Sequence, residues 1–265
     1  TFTNKAAREM HTRLSVMLPI NPRGMWIGTF HGLSNRFLRT HWRDAGLPQT
    51  FAILDMQDQL AAIKRLMKSL QVSDEKFPPR QVQAFINSHK DQGLRAEALK
   101  PHDAFNAKLT ELYAAYDAQC RREGVVDFAE LLLRSYELLS SNEALREHYR
   151  ARFSHILVDE FQDTNKLQYA WLTLFAGPHV SVFAVGDDDQ SIYAFRGAEV
   201  GNMRRLMADF QGAEPIKLEQ NYRSCGNILD AANALIQHND GRLGKNLWTD
   251  AGAGEPVRLY RGWTD

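Results

Sequence analysis

The sequence predicts an α/β protein, a parallel sheet interrupted by an inserted helical subdomain. Short apolar runs bounded by polar or turn residues occur at Met25–Phe30, Ile156–Asp159, Val180–Gly186 and Pro215–Leu218, each with the length of a buried parallel strand. Between the first two, from about 31 to 153, the apolar residues keep a helical period. The run Ile156-Leu157-Val158-Asp159 ends in adjacent carboxylates, at the strand end where α/β sheets place ligands.

The elements follow in order. Met25–Phe30 is the first strand expected. Asp55 can N-cap a helix to about Val72, and Pro78-Pro79 opens another that Gly93 closes. From Pro101 to Glu123, Phe105, Leu109, Leu112, Tyr113 and Tyr116 fall on one helical face. Gly124 ends that helix, and Asp127 caps the next, Phe128–Leu139. No convincing strand interrupts this block, so the insertion is expected to be all-helical. The later apolar runs supply the remaining strands, with Val257–Tyr260 a weaker last candidate. The Gly-, Asn- and Asp-rich stretch Asn239–Gly254 reads as loops.

Composition narrows the class. A length of 265 residues predicts about two domains, or one large domain with an insertion. With 44% hydrophobic and 24% charged residues, wholesale disorder is excluded. No run approaches the ~20 apolar residues of a membrane helix. Two cysteines exclude a disulfide scaffold and fit a reducing compartment, and Cys120 and Cys225 match no zinc-ligand spacing. Lys+Arg and Asp+Glu both number 32, which excludes a globally basic nucleic-acid wrapper but leaves room for a local basic groove.

Three segments carry chemistry. Asp159-Glu160 after an apolar strand suits Mg²⁺ on nucleotide phosphates and a base for water; the plain alternative is two solvated carboxylates starting a helix. In Gly186-Asp187-Asp188-Asp189-Gln190, three consecutive acids require exposure or a nearby cation, and Gln190 offers an amide to a phosphate or a water. Tyr193, Phe195 and Arg196 follow, aromatics beside a base that suit stacking on single-stranded bases or, alternatively, core packing. Arg223, in Leu218-Glu219-Gln220-Asn221-Tyr222-Arg223-Ser224, stands near a helix start, where a positive charge needs an anionic partner: a γ-phosphate or a core acid.

TFTNKAAREM, GTFHGLSNRFLR, VDFAELLL, ILVDEFQDTN, VGDDDQSIYAFRGA and LEQNYRS occur in that order across the whole chain. Together they resemble the UvrD/Rep/PcrA group of superfamily 1 DNA helicases, most closely its UvrD branch. The resemblance implies a RecA-like parallel sheet of the P-loop NTPase type. It implies a first motor domain at 1–29 and 154–219, a helical insertion at 30–153 and the start of a second motor domain at 220–265. It further implies an ATP-dependent 3′-to-5′ helicase that uses ATP and Mg²⁺ on single-stranded DNA and ss/ds junctions. Work in nucleotide-excision and mismatch repair with DNA-repair proteins, away from membranes, in the bacterial cytoplasm and on the nucleoid, is expected as well.

Site roles follow from the same resemblance. Asp159 would ligate Mg²⁺, Glu160 would be the base, Gln190 the γ-phosphate sensor, Arg223 an arginine finger and Tyr222 the adenine stack. Phe2, Thr3, Asn4, His31, Asp127 and Phe128 would belong to the DNA track, with Tyr193, Phe195 and Arg196 at base pockets. For His31 a backbone hydrogen bond is the alternative. Phe195 replaces the family's usual Trp, a smaller stacking face. No GxxxxGK[ST] string occurs in the chain. The family carries it just upstream of TFTNKAA, so the chain is expected to be a fragment, inactive alone. A RecB/AddA-type helicase-nuclease subunit and a non-hydrolysing DNA-binding piece are the competing readings.

Overall fold

The computed structural model describes residues 1–19, 24–193, 197–199, 201–210 and 215–262. Helix α1 is Asn4–Met17 and α2 is Phe30–Thr40. Strand β1 (Ala52–Leu54) precedes α3 (Met56–Ser69), α4 (Pro79–Asp91) and α5 (Ala104–Glu123). Strand β2 (Val125–Asp127) leads into α6 (Phe128–Ser141) and α7 (Glu143–Arg152). Then come β3 (His155–Val158), α8 (Lys166–Phe175), β4 (Ser181–Ala184), α9 (Gly201–Asp209) and α10 (Gly226–Ile236).

The caps read from the sequence form. Asp55 accepts from the amides of Gln57 and Asp58, and Asp127 from that of Glu130. Pro79 opens α4. Gly124 closes α5 in the left-handed region at φ 66°, where an added Cβ would also lie 2.8 Å from Pro48. Leu109, Leu112, Tyr113 and Tyr116 form the buried face of α5.

The strands depart from expectation. Ile156–Asp159 and Val180–Gly186 contain β3 and β4, which pair in parallel with Ile156 opposite Val182. Met25–Phe30 is not a strand: Phe30 already starts α2, which Thr29 caps by accepting from the Gly32 amide. The Trp26 ring turns into an aromatic cluster with Tyr149 and Phe153. Pro215–Leu218 and Val257–Tyr260 are not strands either, since neither finds a pairing partner among the described residues. A single bridge, Gln220 to Trp248, forms just after the former. Conversely, the 31–153 block is not all-helical, because β1 and β2 form a parallel pair within it. Three-residue strands, each abutting a helix cap, are too short to register as a period.

Two hydrophobic cores result. One gathers α2, α6, α7, β3 and α8 around Phe37, Leu132, Tyr149 and Trp171. The other lies among α3, α4 and α5 around Ile63, Ile86 and Tyr116. Between α4, α5 and α6 sits a buried ionic cluster. The Lys90 ammonium, 1% exposed, lies 2.9 Å from Asp117, 3.0 Å from Asp127 and 2.9 Å from Glu130. Arg95 joins Asp117, Glu130 and Glu137. Burial disfavours the Lys90 charge, but the three carboxylates outweigh it and hold its pKa well above the usual lysine value.

Candidate functional site

The parallel pairing of β3 and β4 puts the residues after both strands at one end of the sheet. Asp159 follows β3 directly, with its Oδ2 3.5 Å from the Thr1 hydroxyl. Glu160 adopts φ 53°, ψ 42°, a left-handed conformation that a non-glycine residue holds only under constraint, a feature that clusters at functional sites. A 3₁₀ turn, Phe161–Asp163, carries the chain on to Asn165, which caps α8. Burial, then Glu160, pushes the Asp163 carboxyl above the usual aspartate range, and its Oδ1 is buried with no partner among the described residues.

After β4, Asp187 opens a second 3₁₀ turn, Asp188–Gln190. Here the acids find their cations. Arg242 donates twice to Asp189, at 2.6 Å from both nitrogens. Lys245 pairs with Asp187, and the Leu243 amide donates to Asp188 at 2.7 Å. Hydrogen bonds from Arg242, with Lys245 nearby, hold the Asp189 carboxyl below the usual range. Gln190 donates to Asp187 Oδ2 at 2.7 Å.

A third segment faces these two. Asn221 Oδ1 accepts from the Arg223 and Ser224 amides at 2.9 and 2.7 Å, an Asx turn that sets Arg223 just ahead of α10. The Tyr222 ring is 86% exposed, and its hydroxyl donates to Gln220. Asp159, Glu160, Gly186, Asp187, Gln190, Tyr222 and Arg223 line a single open cleft of about 700 Å³. Every nucleotide-site residue expected from the sequence is among them.

The residues assigned to DNA divide. Phe2 lies 5.6 Å from Phe30, and His31 lies edge-on to Phe128 at 6.1 Å, so three of them gather around the start of α2. Phe128 is 47% exposed, and burial pulls the His31 imidazole below its usual pKa. Thr3 caps α1 through the Ala6 amide, with Asn4 exposed beside it. Asp127 requires a correction. It is 2% exposed and spent on capping α6, on Lys90 and on the Tyr116 hydroxyl at 3.0 Å, so it presents nothing to a ligand. Tyr193 is half-buried, and Phe195 and Arg196 lie outside the described residues.

Sequence reading missed Gln162, whose amide joins Glu160 to Asp187, and did not identify Arg242 and Lys245. The signals were there: a glutamine inside DEFQD, and an acidic triplet that demanded a counter-charge.

Residues 1–211 match the family described as UvrD/REP helicase N-terminal domain. The chain belongs to the UvrD/REP helicase family. Among individual relatives of that family, it is 55% identical over 261 residues to DNA helicase II of Escherichia coli K12, covering 98% of this chain and 36% of that protein. DNA helicase II of Haemophilus influenzae is 50% identical over 270 residues, covering 100% of this chain and 37% of that protein. The ATP-dependent DNA helicase PcrA of Leuconostoc citreum is 40% identical over 268 residues, covering 100% and 36%. The chain thus spans about a third of the length of these UvrD/REP relatives. Among its described residues no helix is long and apolar enough to cross a membrane.

Proposed function

We propose that this chain is the ATP-hydrolysing and DNA-gripping part of a UvrD-type helicase. Such a protein couples ATP hydrolysis to 3′-to-5′ movement on single-stranded DNA and acts at ss/ds junctions in nucleotide-excision and mismatch repair. The observation that carries this reading is the convergence of Asp159-Glu160, Gln190 and Tyr222-Arg223, from three separate segments, on one cleft. The residues suit ATP and Mg²⁺: Asp159 and Glu160 are hard oxygen donors for the metal, Arg223 in the same lining is a cation for phosphate, and about 700 Å³ is within the range of small-ligand sites.

A bound nucleotide would supply the phosphoanhydride, and its Mg²⁺, which Asp159 would hold, would offset phosphate charge. Glu160 takes the proton of the attacking water at its carboxylate. Gln190 leaves Asp187 to orient that water, and Arg223 closes onto the charge that develops as the phosphoryl group transfers. Tyr222 offers its exposed ring to the adenine. On the DNA side, the Phe2, His31 and Phe128 rings around α2, with Tyr193, Phe195 and Arg196, provide stacking faces and a positive charge.

The parallel β3–β4 pair, with Asp159 at its carboxyl end, supports a RecA-like sheet. We read 1–29 and 154–219 as the first motor domain, 30–153 as the insertion and 220–265 as the start of the second. The shared core of α2, α6, α7, β3 and α8 favours reading the insertion's first and last helices as part of the motor's support, with α3–α5 a second lobe tied to α6 through Lys90 and Glu130. Taken alone, the 265 residues hold no GxxxxGK[ST] cradle, which favours DNA binding without hydrolysis for this stretch by itself.

Arg223→Ala in the full-length protein tests the reading. DNA-stimulated phosphate release should fall by about 10³–10⁵ while nucleotide binding changes little. Turnover near that of the unaltered protein would remove Arg223 from the site.

A further inference from the structure

We infer that Gln162 is the positioning residue of this site: one buried side-chain amide that sets the Glu160 carboxylate and ties it to the loop bearing Gln190. The inference rests on the proposed role of Glu160 as the base. Gln162 is 1% exposed, and both ends of its amide are used. Its Nε2 donates to Glu160 Oε2 at 2.8 Å, and its Oε1 accepts from the Asp187 amide at 2.9 Å. The Asp187 backbone N–H can only donate, so it fixes the amide oxygen on its side and turns Nε2 to Glu160. The two loops are joined at further points. The Phe161 amide donates to the Val185 carbonyl at 2.9 Å, and the Ser191 hydroxyl to the Gln162 carbonyl at 3.4 Å.

Gly186 makes the approach possible, since a Cβ there would lie 2.8 Å from Gln162 Oε1. Glu160 stands in a left-handed backbone conformation that surrounding contacts must hold, and its carboxylate is held by the Gln162 amide. The amide occupies one carboxylate oxygen and leaves the other for water. Asp187 then passes the connection on, because its Oδ2 accepts from Gln190. The tie therefore runs from the Glu160 carboxylate through the Gln162 side chain to the Asp187 backbone, in the loop that carries Gln190, and holds whether or not Gln190 stays on Asp187.

Two substitutions separate this role from a merely structural one. Gln162→Met keeps the shape and loses both hydrogen bonds. Gln162→Glu keeps the acceptor for the Asp187 amide and loses the donor to Glu160. Residue-resolved amide exchange on the 265-residue chain is expected to speed up at Asp187 by about tenfold or more in Gln162→Met and to stay unchanged in Gln162→Glu. In the full-length protein both variants should lose about 10- to 100-fold in kcat, with KM moving by less than about twofold. The inference is overturned if Gln162→Met turns over like the unaltered protein while Glu160→Gln in the same assay is inactive. It is equally overturned if Gln162→Glu is fully active and Gln162→Met speeds exchange throughout β3 and β4, which would make the amide only a structural filler. Normal turnover by Glu160→Gln would instead remove the proposed base, and the exchange arm would still measure the tie between Gln162 and Asp187.

Discussion

Asp91 ends α4 with its carboxylate partly buried, at the helix end where backbone carbonyls already point. Lys90 beside it offers no relief, because its ammonium is held by Asp117, Asp127 and Glu130. Burial, then Asp127, pushes the Asp91 carboxyl up to about 6. Its contribution to stability is full below its unfolded value of 3.8 and is lost as pH rises to about 6. Glu130 has the opposite sign. Burial raises its carboxyl, but Lys90, Arg95 and Arg134 outweigh that and hold it down, so its contribution is present above 4.5 and lost on acidification. Asp91→Asn should therefore flatten the pH 4–6 slope of the unfolding free energy and raise stability at pH 7.5 by about 2 kcal/mol. Urea unfolding across that range checks it, and an unaltered slope would clear Asp91. At this scale the sequence was legible where a residue acts on its own neighbourhood, as Asp55 and Gly124 do. It was misleading at Asp127, where the cap was readable but the burial was not. Nothing near Lys90 announces carboxylates brought in by two other helices.

The acidic loop after β4 and the segment Arg242–Lys245 are far apart in sequence and act as one element in the fold. Arg242 grips Asp189, Lys245 grips Asp187, and Asp187 holds Gln190. The loop that carries the proposed phosphate sensor is thereby fastened to the part of the chain that carries Arg223. Exposed ion pairs weaken with salt, and this fastening is only partly shielded. Arg242→Ala should speed proteolytic cleavage within Asn239–Gly254. High salt should speed it in the unaltered protein and add little in the variant. Equal cleavage of both proteins at low salt would mean that Arg242 fastens nothing. The helices of the 31–153 block were readable because caps and period agreed over ten residues or more. The strands were not. A strand forms only with a partner, so Pro215–Leu218 stays unpaired among the described residues while the shorter Ala52–Leu54 pairs with Val125–Asp127.

For the whole molecule, zero net charge fits the proposed function, in which nucleic acid would have to be released as well as bound. The cleft draws on the segments that follow β3 and β4 and on the one just ahead of α10. Its residues were legible because each stands in a long motif, whereas the amide and ion pairs that hold those motifs together appear only once the chain is folded. In the function proposed above, ATP is hydrolysed at Asp159-Glu160 in this cleft, with Glu160 as the base. Steady-state phosphate release with single-stranded DNA, measured alongside nucleotide affinity for Glu160→Gln in the full-length protein, tests it most directly. Turnover should fall by on the order of 10²–10⁴ with nucleotide affinity retained; turnover close to that of the unaltered protein would contradict the account.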